Sequence, residues 1–474
     1  MTEKKLGLPS VIATAVGLIV ATSCLMSLGQ GAGTLGTGFI VSMVMACIIN
    51  MLTALSLAEL NALMPNLTGG LAQYTLAGVG PFVTIVTMVG GYIVCQSIAG
   101  SVECAMFGNA INSAFNTGLP SSFFCILLLV VLIAANLCGV DIFAKVQNVV
   151  AYGLILSLIA MGLIGMLGLG TGEQVQQQMN RATSFSDYFS LLGMAFFLFI
   201  GSEFVIPVAK SVKNPRRNVP LGMLLSLGII CLMQVLVVFG MGHYILWDDL
   251  AASDSPHILY GTVLLGRVGT LWMILVSIFA VISTVNSAIN FLSCMCAGMA
   301  KLNMMPEIFL RRNRRGAYYV GILMIGAIMI LVNATGLSTS DSLSFMILVA
   351  IVFWMVSYVV ANINVLIFRK RLPKAPRTFR VPFGPVIPII GIAGSVFMIL
   401  NIDSSAAVRQ QIFTIDGIIF VVLAIYSALW CRYRLKRKLF RPIAVDEVMA
   451  MENPAYLEVN KHREKTQTTN HRTE

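Results

Sequence analysis

Charged residues are scarce in this sequence. Aspartate, glutamate, lysine and arginine make up 11% of the 474 residues, whereas hydrophobic residues make up 57% and the mean hydropathy is +0.87. A soluble domain carries about 25% charged residues. Because no soluble fold of this length can bury so much apolar surface, the composition excludes a soluble globular protein and predicts a chain that has lipid as its solvent.

The apolar stretches also lack the alternation of polar and apolar residues that membrane barrel strands show over about ten residues. In lipid every backbone polar group needs an internal partner, which leaves only helix bundles and closed barrels. The stretches here run about 20 residues, the length at which a helix spans a bilayer. The sequence therefore predicts an all-α integral membrane protein.

Residues typical of catalytic and cofactor sites are few. The four histidines are scattered, and no phosphate-binding loop of the Gly-Lys-Ser/Thr type is present. Cys294 and Cys296 have no histidine or second cysteine pair near them, so we expect no metal site and no cofactor. A membrane-embedded enzyme would need a convergent cluster of histidines, cysteines or carboxylates, and it remains the least favoured alternative.

Twelve hydrophobic segments predict twelve transmembrane helices. We place them at roughly 9–28, 36–62, 80–108, 122–139, 146–169, 187–209, 219–246, 262–300, 317–334, 342–369, 384–402 and 411–431. Residues 1–8 precede them as an N-terminal segment. Residues 432–474 follow as a polar tail, in which we expect no regular structure because it shows no apolar periodicity.

The distribution of positive charge predicts the orientation. If the N-terminus is cytoplasmic and the spans alternate, only Arg181, Arg267 and Arg409 of the 31 lysines and arginines fall outside. Cytoplasmic loops carry such an excess. We therefore expect a multi-pass inner-membrane protein with both termini cytoplasmic, as a monomer or a homodimer. Its partner is the lipid bilayer and not nucleic acid, because the net charge of +11 reports topology.

Two predicted helices contain residues that interrupt a helix. Helix 1 carries the small and hydroxylated residues Ala21–Cys24, and helix 6 carries Gly201 and Pro207, six residues apart within an apolar span. Small residues in membrane helices also serve simply to let helices pack closely. The two segments, however, open successive sets of five helices, which is the spacing of an inverted repeat with the first helix of each half broken.

A broken helix offers free backbone groups at the middle of the membrane. The N-terminus of a half-helix attracts a carboxylate, and freed carbonyl groups attract an ammonium. An α-amino acid has both groups. The two interruptions therefore predict a secondary transporter for an amino acid or a related amine.

An ordered set of motifs runs along nearly the whole membrane part of the chain. The motifs are Ala58–Leu60, Gly80–Phe82, Phe199–Glu203, Val212–Pro220 with its Lys-Asn-Pro-Arg-Arg run, and Arg377–Pro382. In these stretches the sequence resembles the amino acid–polyamine–organocation transporter superfamily. Around helix 6 it is most similar to the antiporters of basic amino acids and polyamines.

The resemblance implies a five-plus-five inverted repeat with two extra helices. The halves would be 9–169 and 187–369, and the extra helices 384–431. It also implies a substrate between the two breaks, walled by helices 3, 8 and 10, with its carboxylate on the amides of the helix-1 break. Phe197 aligns best with the aromatic residue that covers the substrate in the family. The substrate-binding residues so implied are Ala21, Thr22, Ser23, Cys24, Phe196, Phe197, Phe199 and Gly201.

The sequence departs from the family at three places. One is late in helix 8, where the family often has Ser-Arg and then Tyr and this chain has Ser293, Cys294 and Ala297. The family usually has glycines in the helix-1 break, where this chain has Ala21-Thr22-Ser23, and several members carry a helix-5 lysine that 146–169 lacks. Substrate identity and the coupling mechanism, proton symport or exchange, therefore stay open. The missing glycines also keep a second alternative open, which is an amino acid sensor that does not transport.

Ionisable residues at membrane depth are functional candidates, because each costs several kcal/mol unless paired or neutralised. Glu203 follows the helix-6 break and aligns with a glutamate of the arginine/agmatine and glutamate/γ-aminobutyrate antiporters, so it is the candidate for proton coupling or gating. A structural carboxyl is the alternative. Glu103 in helix 3 either pairs with a cationic substrate or lies near the outer mouth. Ser283, Thr284 and Asn286 in helix 8 either line the cavity, form a vestigial sodium site or join neighbouring helices by hydrogen bonds.

Overall fold

The structure is a computed structural model, and it describes residues 6–65, 67, 70–115, 118–138, 140–335, 340–375 and 377–452. Within these ranges the chain is helical, and its only extended pairings are two isolated bridges, Leu6 with Val212 and Gly36 with Asn180. The all-α prediction is confirmed for this part of the chain. Residues 1–5 of the N-terminal segment and 453–474 of the tail lie outside the described residues.

The α-helices are numbered in chain order. They are α1 Leu8–Ile19, α2 Thr22–Leu35, α3 Phe39–Leu63, α4 Leu71–Gly78, α5 Pro81–Met88, α6 Cys95–Phe115, α7 Ser121–Leu137, α8 Val140–Met166, α9 Asp187–Ser190, α10 Leu192–Phe197, α11 Pro215–Tyr244, α12 Trp247–Ala252, α13 Pro256–Lys301, α14 Tyr319–Ala334, α15 Ser340–Arg371, α16 Val386–Leu400, α17 Ala406–Trp430 and α18 Val445–Glu452. Shorter turns of other types are the π-helices Val89–Val94 and Cys431–Leu435 and the 3₁₀-helices Ser202–Ser211 and Glu307–Leu310.

Seven of the described helical segments are long and apolar enough to cross a membrane, and the bent pair α1 and α2 adds an eighth. Four further apolar helices are shorter, at Ser121–Leu137, Leu192–Ile206, Tyr319–Ala334 and Val386–Leu400. The protein is therefore a multi-pass membrane protein. The predicted helix 1 corresponds to α1 and α2, helix 3 to α5 and α6, helix 6 to α10 and the 3₁₀-helix, helix 8 to α13, and helix 10 to α15.

Predicted helix 1 is broken, and its two halves are bent by 63°. The non-helical residues are Val20 (φ −81°, ψ 85°) and Ala21 (φ −98°, ψ 163°). Both residues have negative φ and Ala21 is extended, so this break needs no glycine. The sequence placed the break at Ala21–Cys24, but helix resumes at Thr22, so Thr22, Ser23 and Cys24 form the first turn of α2.

Predicted helix 6 is broken in a different way. Helix α10 ends at Phe197, and the chain then reaches Gly201 at φ 121° and ψ 0° before the 3₁₀-helix Ser202–Ser211 begins. Side chains rarely tolerate this positive φ, so the position favours glycine. The two breaks are neighbours, because a Cβ atom on Gly201 would lie 3.3 Å from Cγ1 of Ile19 in α1.

Predicted helix 3 contains a π-helical turn at Val89–Val94 between α5 and α6. Gly91 within it has no room for a side chain, because a Cβ atom there would meet Ser357 of α15. This close approach puts the ring of Tyr92 5.6 Å from that of Trp354. Such π-turns often occur at functional sites. This one lies within predicted helix 3 and packs against predicted helix 10 beside the helix-6 break.

A buried ion cluster ties α3 to α15. Glu59 accepts hydrogen bonds from Nε of Arg369 at 3.0 Å and from the backbone N–H of Val381 at 2.8 Å, and Nη1 of Arg377 lies 3.4 Å from its carboxylate. Burial lowers the pKa of Arg377 from its usual value, and the neighbouring Glu59 carboxylate opposes that shift. The two predicted halves of the protein are thus joined at this end.

The start of the predicted tail is ordered, which the sequence did not predict. Helix α18 lies in it, and the preceding segment bonds to α4 and α5 through Ile443 N–H to Leu76 O (3.3 Å) and Phe82 N–H to Leu439 O (3.1 Å). Ile443 and Val448 are buried, and Val445 and Met449 pack against the core, so apolar contacts hold this segment against the bundle. Among the ten free cysteines, Cys138 at the end of α7 is exposed.

Candidate substrate-binding site

A cavity lies where the two broken helices meet. The space in it that water-sized molecules can reach is about 30 Å³, enough for about two waters, so the cavity is nearly closed in this conformation. The walls come from α1, α2, α6, α10, α13 and α15, together with the segment around Gly201. The lining residues are Leu18, Ile19, Ala21, Ser23, Cys24, Gln96, Ala99, Glu103, Phe197, Ile200, Phe204, Thr284 and Trp354.

Glu103 caps the restarted half of helix 1. Its Oε2 accepts a hydrogen bond from the backbone N–H of Thr22 at 2.9 Å, and its Oε1 accepts one from the N–H of Ser23 at 3.0 Å. The side chain comes from α6 and is 2% exposed. The first amides of a helix have no partner within it, and the helix dipole favours an anion there. The carboxylate of Glu103 therefore fills the place predicted for a substrate carboxylate.

The other side chains of the first α2 turn hold the break in shape. Thr22 Oγ1 donates to the carbonyl of Ser277 in α13 at 3.0 Å, and Cys24 Sγ donates to the carbonyl of Ile19 at 3.1 Å. The Ile19 carbonyl, which the break leaves without its helical partner, also accepts from the backbone N–H of Ala21 at 3.0 Å. Ala21, Ser23 and Cys24 line the cavity, whereas Thr22 points its hydroxyl away toward α13.

Glu203 joins the helix-6 break to α15. It is fully buried, with Oε1 accepting from Nε1 of Trp354 and Oε2 from the hydroxyl of Tyr358, each at 2.7 Å. The carboxyl does not line the cavity, and Trp354 does. Glu203 therefore sets the position of the tryptophan ring that forms one wall of the cavity.

Three phenylalanines of predicted helix 6 occupy different places. Phe197 lines the cavity, and its role as the covering aromatic stays a prediction. Phe196 is buried with its ring 5.7 Å from that of Tyr358, and Phe199 is buried outside the cavity lining. Phe204, after the break, also lines the cavity, and its ring lies 5.6 Å from that of Trp354.

The helix-8 candidates lie mostly at contacts between helices. Ser283 Oγ donates to the carbonyl of Gly17 in α1 at 2.8 Å, and Asn286 Oδ1 accepts from Nδ2 of Asn136 in α7 at 2.7 Å. Thr284, which lies between them, lines the cavity. The structure thus brings one hydroxyl of this group to the site and places Ser283 and Asn286 in the alternative position, where they join neighbouring helices.

Two polar lining residues were not predicted from the sequence. Gln96 precedes Glu103 by seven residues in α6, and two helical turns put both on one face. That spacing was a usable signal. Trp354 lies within a long apolar run of α15, and its indole N–H gave no local sign of a carboxylate partner 151 residues away. Within the described residues, no group of three histidine, cysteine or carboxylate side chains could hold a metal ion.

Two interrupted helices that face one small cavity, with helix ends and buried carboxyls at the break, are typical of secondary transporters. The comparisons with known proteins agree with this class. Residues 10–442 match the amino acid permease family. The chain belongs to the amino acid permease family, and it is a transport protein rather than an enzyme.

Individual relatives are distant but cover most of the chain. The branched-chain amino acid permease BcaP of Bacillus subtilis is 24% identical over 445 residues, which covers 89% of this chain and 93% of that protein. The serine/threonine exchanger SteT of the same organism is 23% identical and covers 84% and 90%. The methylthioribose transporter of B. subtilis is 23% identical and covers 79% and 83%.

A solved structure shares the fold. The crystal structure of a mutant of the manganese transporter of Eremococcus coleocola matches with a TM-score of 0.59 at 13% identity, covering 90% of this chain and 94% of that one. At this identity the match concerns the fold alone. It places the present helices in a known transporter architecture.

Proposed function

We propose that the protein is a secondary active transporter that moves an amino acid or a related amine across the cytoplasmic membrane by alternating access. The observation that carries the proposal is the cavity between the two helix breaks, with the first turn of α2 on one side and the aromatic wall of Phe197 and Trp354 on the other. Broken helices expose polar backbone at mid-membrane only where it lines a cavity.

The proposed architecture has twelve spans, in two inverted sets of five plus two. The eight candidate spans and the four shorter apolar helices together give that number. The breaks fall in the first helix of each proposed half, 9–169 and 187–369. The lysine and arginine distribution supports cytoplasmic termini and the inner membrane as the location.

The names of two relatives support the solute class. One is a branched-chain amino acid permease and the other is a serine/threonine exchanger. Both names concern solutes with an amino group, and the buried carboxylate of Glu103 is suited to an amino group. We therefore keep an amine or amino acid as the proposed solute, carried by symport or exchange.

Uptake into proteoliposomes tests this proposal. The purified protein is reconstituted, and a panel of labelled amino acids and amines is applied with and without a pH gradient, with protein-free liposomes as the control. We expect saturable uptake or exchange of at least one solute. Binding of a solute without any flux would instead identify a sensor, and would contradict the proposed transport.

Proton coupling is proposed to involve Glu203. A buried carboxyl between two donors, next to the helix-6 break, is suited to gain or lose a proton as the break moves. Glu203→Gln is then expected to remove the pH dependence of uptake, measured across the acidic to neutral range. An unchanged pH profile in a variant that still transports would exclude this role.

A further inference from the structure

The groups around the cavity favour a positive charge over a negative one. The partially positive end of the cavity is the N-terminus of α2, and the Glu103 carboxylate already bonds the two amides there at 2.9 and 3.0 Å. Among the lining residues, all of which the structure describes, Glu103 is the only carboxyl and none is lysine, arginine or histidine. Nothing in this lining is therefore left to neutralise a substrate carboxylate.

Several features of the same cavity favour a positive charge. Leu18 and Ile19 are the last residues of α1, so the partially negative end of that helix lies at the cavity wall. The rings of Phe197, Phe204 and Trp354 form another wall, and aromatic faces attract cations, tryptophan most strongly. Glu203 lies directly behind Trp354.

A zwitterionic solute would meet a specific obstacle. To bond the α2 amides, its carboxylate must displace Glu103, which then lies unpaired beside another negative charge in a buried site. A solute with an ammonium and no carboxylate meets neither cost, because Glu103 can keep its two amides and present its remaining lone pairs to the ammonium. The seven-residue spacing places Gln96 on the same side of α6 as a neutral partner.

From this arrangement, and resting on the proposed transport function, we infer that Glu103 is a built-in replacement for the substrate carboxylate. The solute of this site is a small organic cation, an amine without a carboxylate. The α-amino acid with the same side chain is rejected.

Matched pairs that differ only in the α-carboxylate test this inference. The probes are isoamylamine with leucine, phenethylamine with phenylalanine, and cadaverine with lysine. Binding to the full-length protein in nanodiscs is measured by calorimetry, and flux is measured in proteoliposomes. We expect the amine of at least one pair to bind at least tenfold more tightly than its amino acid. Equal or tighter binding of the amino acid in every pair, or no binding of any probe, would overturn the inference.

Removal of the carboxylate should reverse the preference. In Glu103→Ala the amides of Thr22 and Ser23 are free and the negative charge is gone, so amine binding should weaken at least tenfold and amino acid binding should appear or strengthen. Glu103→Gln keeps the size of the side chain and is the substitute if the alanine variant does not purify as a monodisperse protein. A ratio of amine to amino acid affinity that does not change in the folded variant would contradict the role of Glu103.

A second buried carboxyl serves as the control. Asp416 lies in α17, is 6% exposed, and does not line the cavity. Asp416→Asn should leave the amine preference unchanged. The transport proposal and the amine inference can fail separately. Binding of amines without flux would reject transport and support the amine preference. Flux restricted to amino acids would support transport and reject the amine preference.

Discussion

Both helix breaks interrupt a membrane helix beside the cavity, but they are stabilised in different ways. The break between α1 and α2 has negative φ at both Val20 and Ala21, and Glu103, about 80 residues later in the chain, caps the helix that follows it. The break after α10 depends on Gly201 at φ 121°. One break is therefore encoded by a local residue, and the other depends on a tertiary contact.

The largest effect is expected at the locally encoded break. Gly201→Val forces a β-branched side chain into φ 121° and puts its Cβ 3.2 Å from the Phe204 ring. Strain of this kind costs about 1–3 kcal/mol, and we expect uptake to be lost and the melting temperature to fall. Ala21→Gly is the matched change at the other break, where extended backbone suits both residues. Uptake by Gly201→Val at the wild-type rate would contradict the claim that this break depends on glycine.

The next effect concerns the link from the helix-6 break to α15. In Glu203→Gln only one oxygen remains to accept from Trp354 and Tyr358, so one donor loses its acceptor. An unsatisfied buried group costs about 1–3 kcal/mol. We expect Glu203→Gln and Trp354→Phe together to destabilise by less than the sum of the single changes, measured by chemical unfolding in detergent. Simple additivity would mean that the two residues act independently.

A smaller effect is expected at the break that Glu103 caps. Thr22→Val keeps the shape of the side chain and the backbone N–H to Glu103, but it loses the hydrogen bond to the Ser277 carbonyl. The loss should be about 1 kcal/mol, as for an ordinary buried hydrogen bond. Thr22→Ser retains the hydroxyl and should behave like the wild type. If Thr22→Val has the same melting temperature as the wild type, the contact with α13 does not stabilise this break.

The smallest effect is expected in the loop that leads into predicted helix 6. Hydrogen bonds from Ser184 and Thr183 lower the pKa of Asp187 from its usual 3.8 to about 2. Because the folded-state pKa is lowered, the carboxylate stabilises the loop above its ordinary pKa, and this contribution is lost as the pH falls through that range. The melting temperature of Asp187→Asn should therefore be slightly below that of the wild type at neutral pH, and the difference should shrink in acid. A difference in melting temperature that grows in acid would contradict the stabilising role of the carboxylate.

The sequence predicted the helical class and the helix-6 break because both depend on local signals. Hydropathy marks the spans, and Gly201 occupies a backbone conformation that few other residues adopt. The helix-1 break was placed too late in the chain, since Val20 and Ala21 have negative φ, which any residue can adopt. The bond from Glu103 to the amides of Thr22 and Ser23 could not be read from the sequence, because it depends on how α6 packs beside α2.

The same reason explains the residues that were missed. Trp354 lies in an apolar helix, and its role follows from the distant Glu203. Gln96 carried a usable spacing relative to Glu103. The ordered start of the tail was missed because its apolar residues, such as Ile443 and Val448, are interspersed with charged ones, although both are buried against the bundle.

Cys138 gives the native chain a chemical handle. It is exposed at the end of α7, whereas the other nine thiols are buried or partly buried, so maleimide reagents should modify this position first. With the proposed orientation, a membrane-impermeant maleimide should spare intact cells and label inverted vesicles. A fluorophore or spin label can then be attached to the unmutated protein to follow its movements during turnover.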